Sequence, residues 1–151
     1  MRSIAKKQDY VHAAGMSEPG GRFETEIRIV DQKTRNPLEG VLVEIVHTDS
    51  SGQYFTEDGP WNPRIFAYLL SDEDGTFLLN TTLPKGYLDD DGIAVPAHIH
   101  ITLEKEGYVN LGTEFGLSSG SNNDSGQDSE LVAIWDRSEG FFRIEIGMDT
   151  E

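Results

Sequence analysis

Hydrophobic and polar residues alternate along several short segments of the chain, as they do in half-buried β-strands. In residues 23–31, Phe23, Thr25, Ile27 and Ile29 fall on one face and charged residues on the other. Residues 108–115 are predicted to be a short extended piece. Comparable segments predict further strands at residues 41–48, 64–70, 76–83, 96–103, 130–136 and 141–148.

Turns rich in glycine, proline and aspartate separate these segments, and a helical period is almost absent. Residues 72–75 read as a hairpin turn, and residues 116–128 as a flexible loop without core-forming residues. Such a pattern predicts an all-β fold, a single β-sandwich with little helix. The 151 residues fit one domain, which we expect at residues 23–151 after an N-terminal tail at 1–22.

Composition excludes some functions and disfavours others. The chain has no cysteine, so disulfides and thiolate metal sites are excluded, and any metal must use His, Tyr, Asp or Glu. The formal net charge of −15 argues against binding to nucleic acid or to an anionic membrane. No apolar run is long enough to cross a bilayer, and no signal peptide is seen, which predicts a cytoplasmic protein.

Candidate metal chemistry begins with the segment Pro-Ala-His-Ile-His at residues 96–100. On a strand, His98 and His100 project to the same side, whereas Ile99 and Ile101 point the other way into a core. Two imidazoles in this arrangement can bind one metal ion if other ligands come from elsewhere. The alternative is a polar strand face that carries two unrelated histidines.

Two tyrosines are the candidates for those other ligands. Tyr54 follows the turn at Gly52, and Tyr87 follows Gly86. Phenolate and imidazole together suit a ferric ion better than a ferrous one. A bound cation would also lower the tyrosine pKa well below its free value of about 10. The alternative is that both are ordinary surface tyrosines with hydrated hydroxyl groups.

Over residues 36–113 the sequence resembles the intradiol ring-cleavage dioxygenases, which include catechol 1,2-dioxygenase and protocatechuate 3,4-dioxygenase. The resemblance implies a prealbumin-like sandwich. It rests on five motifs in the family order: the opening strand, the segment that ends in Tyr54, the hairpin, the turn that presents Tyr87 and the histidine strand. They occupy residues 37–45, 49–54, 71–77, 83–87 and 96–100.

This resemblance implies an Fe(III) site whose four ligands are also the catalytic residues. Tyr54 and His98 would be equatorial ligands, and Tyr87 and His100 axial ligands. The implied substrates are a catechol and O2, and the implied product is a muconate-type diacid. In the family, the axial tyrosine leaves the metal when the catechol binds as a dianion.

The sequence departs from the family pattern around the expected pocket. Val95 stands where the family has an arginine thought to stabilise charge on the substrate ring, and Arg64 is the candidate replacement. His47 is either a pocket-side residue or a core histidine. Glu114 stands where members carry a glutamine, and the short connection between Tyr87 and His98 predicts an open site. We therefore expect Val95, Arg64 and His47 to be the substrate-binding positions.

Two alternatives to a functional dioxygenase remain. The chain could be a non-catalytic, prealbumin-like binding module, because such modules share the strand and turn pattern without needing Tyr54 or the histidine pair. It could also be an iron site that binds catechols but turns over weakly, because Val95 replaces the arginine. The sequence predicts neither a particular catechol nor an oligomeric state.

Overall fold

The computed structural model of the chain describes residues 7, 10–13, 18–55, 63–118, 132–136 and 141–151. These residues form strands and turns and contain no helix. The eleven strands are β1 (Tyr10–His12), β2 (Arg22–Asp31), β3 (Leu42–His47), β4 (Ile65–Leu70), β5 (Thr76–Thr82), β6 (Tyr87–Leu88), β7 (Ala94–Val95), β8 (His98–Glu104), β9 (Leu111–Ser118), β10 (Val132–Asp136) and β11 (Phe141–Met148).

Nine strands are hydrogen-bonded in the order β1-β5-β2-β11-β10-β9-β8-β3-β4, and β6 and β7 form a separate small ladder. The parallel pairing of β9 with β10 joins the two halves of the large sheet. Their inner faces share one hydrophobic core, which is the packing of a sandwich. The core includes Phe23 and Ile27 of β2, Ile45 of β3, Phe77 of β5, Ile101 of β8 and Ile146 of β11.

The prediction of an all-β sandwich is confirmed, and most strands lie within one or two residues of their predicted positions. The predicted inner faces of β2 and β3 are buried. Ile99, Ile101 and Leu103 of β8 are likewise buried, with exposed fractions of 1% or less. Each of these strands therefore presents its other face away from the core, and on β8 that face carries the two histidines.

The structure departs from the prediction at β9 and at the shortest strands. β9 extends to Ser118, so residues 116–118 are strand and not loop; residues 119–128 lie outside the described part of the chain. Pairing with β8 on one side and β10 on the other stabilises β9 although its sequence alternates weakly. β1 pairs in parallel with β5, so residues 10–12 of the predicted tail join the sheet. The domain boundary itself stays a prediction.

No helix long and apolar enough to cross a membrane occurs among the described residues.

Candidate metal centre

β8 holds the two histidines side by side. The imidazole of His98 is 4% exposed, and the Nε2 atoms of His98 and His100 lie 3.0 Å apart. His98 Nδ1 lies 2.8 Å from the carbonyl oxygen of Pro96. Because a carbonyl can only accept, Nδ1 carries the proton, and the lone pair of Nε2 points towards His100. His98 is therefore held in the tautomer that binds a metal through Nε2.

Tyr54 brings a third donor atom to this pair. Its hydroxyl oxygen lies 3.1 Å from His98 Nε2 and 3.0 Å from His100 Nε2. The three atoms form a nearly equilateral triangle. Ligands at right angles around a metal, with bonds of about 2.1 Å, lie about 3 Å apart. The triangle therefore has the dimensions of three neighbouring ligands of one metal ion, and the donor set fits the implied iron.

Tyr87 packs against this triangle from β6. Its ring meets the ring of Tyr54 edge-on, with centroids 5.5 Å apart, and lies 6.2 Å from the ring of His98. Burial raises the pKa of Tyr54, and the neighbouring Tyr87 and Glu114 raise it further. A phenolate at Tyr54 therefore requires a positive charge beside its oxygen. A metal ion bound at the triangle would supply that charge.

Glu114 completes the surroundings of the histidines from the adjacent strand. It lies opposite His100 in the antiparallel pairing of β8 with β9. One carboxylate oxygen is 3.5 Å from His98 Nε2 and 3.6 Å from His100 Nδ1. Burial and the neighbouring His98 lower the pKa of His100, and they outweigh Glu114, which raises it. The neutral ring, which is the form that binds metals, is therefore favoured. The sequence pattern marks Glu114 only as a departure from the family and does not predict its place beside the histidines.

Asp49 organises the loop that presents Tyr54. One of its carboxylate oxygens accepts hydrogen bonds from the backbone N–H groups of Ser51 and Gln53. The other accepts from Nε of Arg64 at 2.7 Å. Burial opposes the charged form of Asp49, but these hydrogen bonds outweigh it and lower the pKa to about 2. Asp49 is therefore a charged anchor for the loop.

Arg64 takes part in that anchor. Its guanidinium contacts the carboxylates of Asp49 and Glu18, at 2.7 and 2.6 Å. Its backbone N–H also donates to the carbonyl oxygen of Tyr54 at 2.8 Å. The described contacts of Arg64 thus support the Tyr54 loop, and substrate binding by this residue stays a prediction.

Val95 lies beside Tyr87, whereas His47 lies on the core side of β3. Val95 is paired with Tyr87 in the ladder of β6 and β7, so the two side chains are cross-strand neighbours. His47 is paired with Ile99, on the core side of β3. It is fully buried, and its ring nitrogens lie 2.6 Å from the carbonyl oxygen of Thr48 and 2.8 Å from the hydroxyl of Thr81. This is the placement of a core histidine, on the face opposite His98 and His100.

Comparison with known proteins gives a family and a fold. The family model described as Dioxygenase matches residues 2–120. No sequence among curated proteins matches the chain. Similar solved structures include 3-chlorocatechol 1,2-dioxygenase from Rhodococcus opacus, at a TM-score of 0.71 and 23% identity over 96% of this chain. Catechol 1,2-dioxygenase from Pseudomonas arvilla has a TM-score of 0.74 at 16% identity over 97% of this chain.

Hydroxyquinol 1,2-dioxygenase from Pseudomonas putida has a TM-score of 0.70 at 20% identity over 98% of this chain. The chain covers 66%, 58% and 63% of these three proteins, so it spans less than two thirds of their length. At these identities the likeness establishes the fold.

Replacing Asp49 with asparagine should destabilise the protein by about 1–3 kcal/mol at neutral pH, because a buried charged acceptor is lost. The free energy of unfolding in urea measures this. Since the pKa of Asp49 is lowered from 3.8 to about 2, the stabilisation is present above pH 3.8 and is lost as the pH falls towards 2. D74N, at an exposed turn position, is the control. Equal losses in D49N and D74N would contradict the anchor role.

His47 should make the stability of the protein depend on pH between 6.5 and 4. Burial lowers its pKa from 6.5 to about 4, so the unfolded chain binds a proton in this range and the folded chain does not. The stabilisation is therefore full above pH 6.5 and decreases as the pH falls, by up to about 1.4 kcal/mol per unit. The advantage of the wild type over H47Q in urea unfolding should narrow over this range; a constant difference would refute a buried neutral ring.

Proposed function

The chain belongs to the intradiol ring-cleavage dioxygenase family, and from this premise we propose that it is a non-haem Fe(III) enzyme that cleaves a catechol with O2. The product would be a muconate-type diacid that contains both oxygen atoms. The structural neighbours act on catechol, chlorocatechol and hydroxyquinol according to their names. The catechol class is therefore the proposed substrate class for this chain.

The triangle of donor atoms is the observation that carries this proposal. Tyr54 Oη, His98 Nε2 and His100 Nε2 lie 3.0–3.1 Å apart, and Tyr87 packs against Tyr54. Phenolate oxygen is a hard anionic donor and favours Fe(III) over Fe(II), and imidazole is an ordinary iron ligand. Bound there, Fe(III) would supply Lewis acidity and draw electron density from a bound catecholate.

The two tyrosines are held differently, which suggests different roles. The hydroxyl of Tyr54 lies within 3.1 Å of both histidines, and its loop is anchored by Asp49. Tyr87 lies on the two-residue strand β6, beside the short turn that leads to β7. We assign Tyr54 as the tyrosine that would hold the metal throughout, and Tyr87 as the tyrosine that would make room for a catechol. In that role the phenolate oxygen of Tyr87 would accept a proton from the catechol.

The contact between His98 and the Pro96 carbonyl fixes the orientation of one metal-binding residue. The Pro96 carbonyl fixes the His98 tautomer, so His98 Nε2 offers a lone pair and no proton. His100 is 44% exposed at its side chain, whereas His98 is almost completely buried. The open side of the site therefore lies towards His100, and we propose that the catechol approaches from there.

Ferric loading should give the protein a visible charge-transfer band from the tyrosinate ligands. The band should shift when catechol is added under nitrogen, because the catechol becomes a ligand. Y54F should weaken iron binding and reduce catechol cleavage by a factor of about 100 or more, since a ligand is lost. Y68F, on β4, is the matched control and should behave as the wild type. A Y54F protein that cleaved catechol at the parent rate would disprove the assignment.

Adding a positive charge beside Tyr87 should increase turnover if the missing arginine limits the rate. V95R places a guanidinium next to Tyr87 on the same face of the small ladder, where it can stabilise negative charge on the substrate ring. We expect kcat to rise by at least about tenfold, which is less than the 10²–10³ that one well-placed donor contributes in active sites. V95M adds length without charge and should leave kcat unchanged. Equal rates for V95R and V95M would exclude a charge effect.

A further inference from the structure

Glu114 places a carboxylate beside the two histidines without the help of either tyrosine. The antiparallel register of β8 and β9 sets Glu114 opposite His100. Its oxygen lies 3.5 Å from Nε2 of His98 and 3.6 Å from Nδ1 of His100. The three residues therefore meet through the pairing of neighbouring strands and not through a loop.

The spacing of these atoms suits a metal ion. Among the described residues, one donor atom from each of His98, His100 and Glu114 lies within 4.8 Å of the other two. Ligands with bonds of about 2.1 Å lie about 3 Å apart at right angles and about 3.4 Å apart in a tetrahedron. The distances of 3.5 and 3.6 Å from Glu114 are close to the tetrahedral value. The Glu114 oxygen therefore lies at a ligand-like distance from one nitrogen of each histidine.

His100 faces the hydroxyl group of Tyr54 with one ring nitrogen and the carboxylate group of Glu114 with the other. Its Nε2 lies 3.0 Å from the Tyr54 hydroxyl, and its Nδ1 lies 3.6 Å from Glu114. His98 offers Nε2 to both groups. The same histidine pair can therefore be completed by tyrosinate oxygens or by the carboxylate of Glu114.

We propose that His98, His100 and Glu114 form a second metal-binding set that holds a divalent first-row ion without the tyrosines. Two neutral imidazoles and one carboxylate are a common protein set for Zn²⁺ and related divalent ions. This set carries one negative charge, whereas two tyrosinates carry two and suit Fe(III). The identity of the bound metal then depends on which anionic side chains complete the histidine pair.

Solvent can reach this second set. The side chains of His100 and Glu114 are 44% and 40% exposed, while His98 is 4% exposed. An ion can therefore enter from the exposed side and be anchored on the buried imidazole. The set shares its histidines with the proposed iron site, so divalent ions should compete with Fe(III) for the protein.

Cobalt is the probe for this set, because the visible spectrum of Co²⁺ reports on its coordination. The Y54F/Y87F double variant should give no ferric colour but should still bind one Co²⁺ that Zn²⁺ displaces. Adding E114Q to this background should weaken Co²⁺ binding by about tenfold or more, the scale expected when a group at a metal site is removed. Isothermal titration and the Co²⁺ spectrum provide two independent readings.

E104Q is the matched control, because Glu104 lies on the same face of β8 four residues beyond His100, roughly 13 Å away. It removes the same charge and should leave Co²⁺ affinity unchanged. Unaltered binding in E114Q, or equal weakening in E104Q, would overturn the proposal. If circular dichroism shows that the double variant is unfolded, the comparison of E114Q with E104Q in the wild-type background decides instead.

The outcome for Glu114 is separate from the outcome for dioxygenase activity. A colourless, inactive protein whose Co²⁺ affinity depends on Glu114 would support the second set and refute the proposed function. A red, active dioxygenase whose Co²⁺ affinity does not depend on Glu114 would refute the second set alone.

Discussion

The register of β8 is the constraint on which the site depends. Ile99, Ile101 and Leu103 are buried in the core, and this fixes His98 and His100 on the opposite face. A slip of one residue would bury the histidines and expose the isoleucines, because side chains alternate along a strand. β8 is also paired on both sides, with β3 and β9. The hydrophobic core and the pairing on both edges therefore fix the positions of the two histidines on the outer face of β8.

The tyrosines depend on a different kind of support, because both lie outside the large sheet. The loop before Tyr54 and the turn before Tyr87 are joined through hydrogen bonds from Lys85 N to the carbonyl of Asp49 and from the hydroxyl of Thr48 to the carbonyl of Lys85. The two segments approach so closely that a Cβ at Gly52 would lie 3.1 Å from the carbonyl oxygen of Gly86. Gly52 also has a φ of +90°, which favours glycine. Movement of the segment that carries Tyr54 is thus linked to movement of the segment that carries Tyr87.

Much of this arrangement could be predicted from local sequence. The alternation in β2, β3 and β8 identified their buried faces, and it already put His47 on the core side of β3, together with Val43 and Ile45. The family resemblance left this position open between the pocket and the core. Periodicity along a single strand was in this case the better guide to orientation.

Other features depend on contacts between residues far apart in the sequence, which periodicity does not report. Glu114 reaches the histidines because β9 pairs with β8, and Arg64 is directed to Asp49 by a contact between separate loops. β9 itself has few apolar residues and is stabilised by pairing on both edges. A strand of this kind becomes predictable only when its neighbours are known.

The charges around the histidines favour a cation at this position. Glu114 lies close to both rings, and the two tyrosines add negative charge whenever they ionise. The guanidinium of Arg64 is engaged with Asp49 and Glu18, and Val95 brings no charge to the neighbourhood of Tyr87. Like charges in a partly buried site raise the cost of ionising each group. A metal ion bound there would relieve that cost for tyrosinate, carboxylate and catecholate alike, and would thereby couple metal binding to anion binding at this site. A ligand set with one carboxylate in place of two tyrosinates keeps this coupling but carries less negative charge, and so favours a divalent over a trivalent ion.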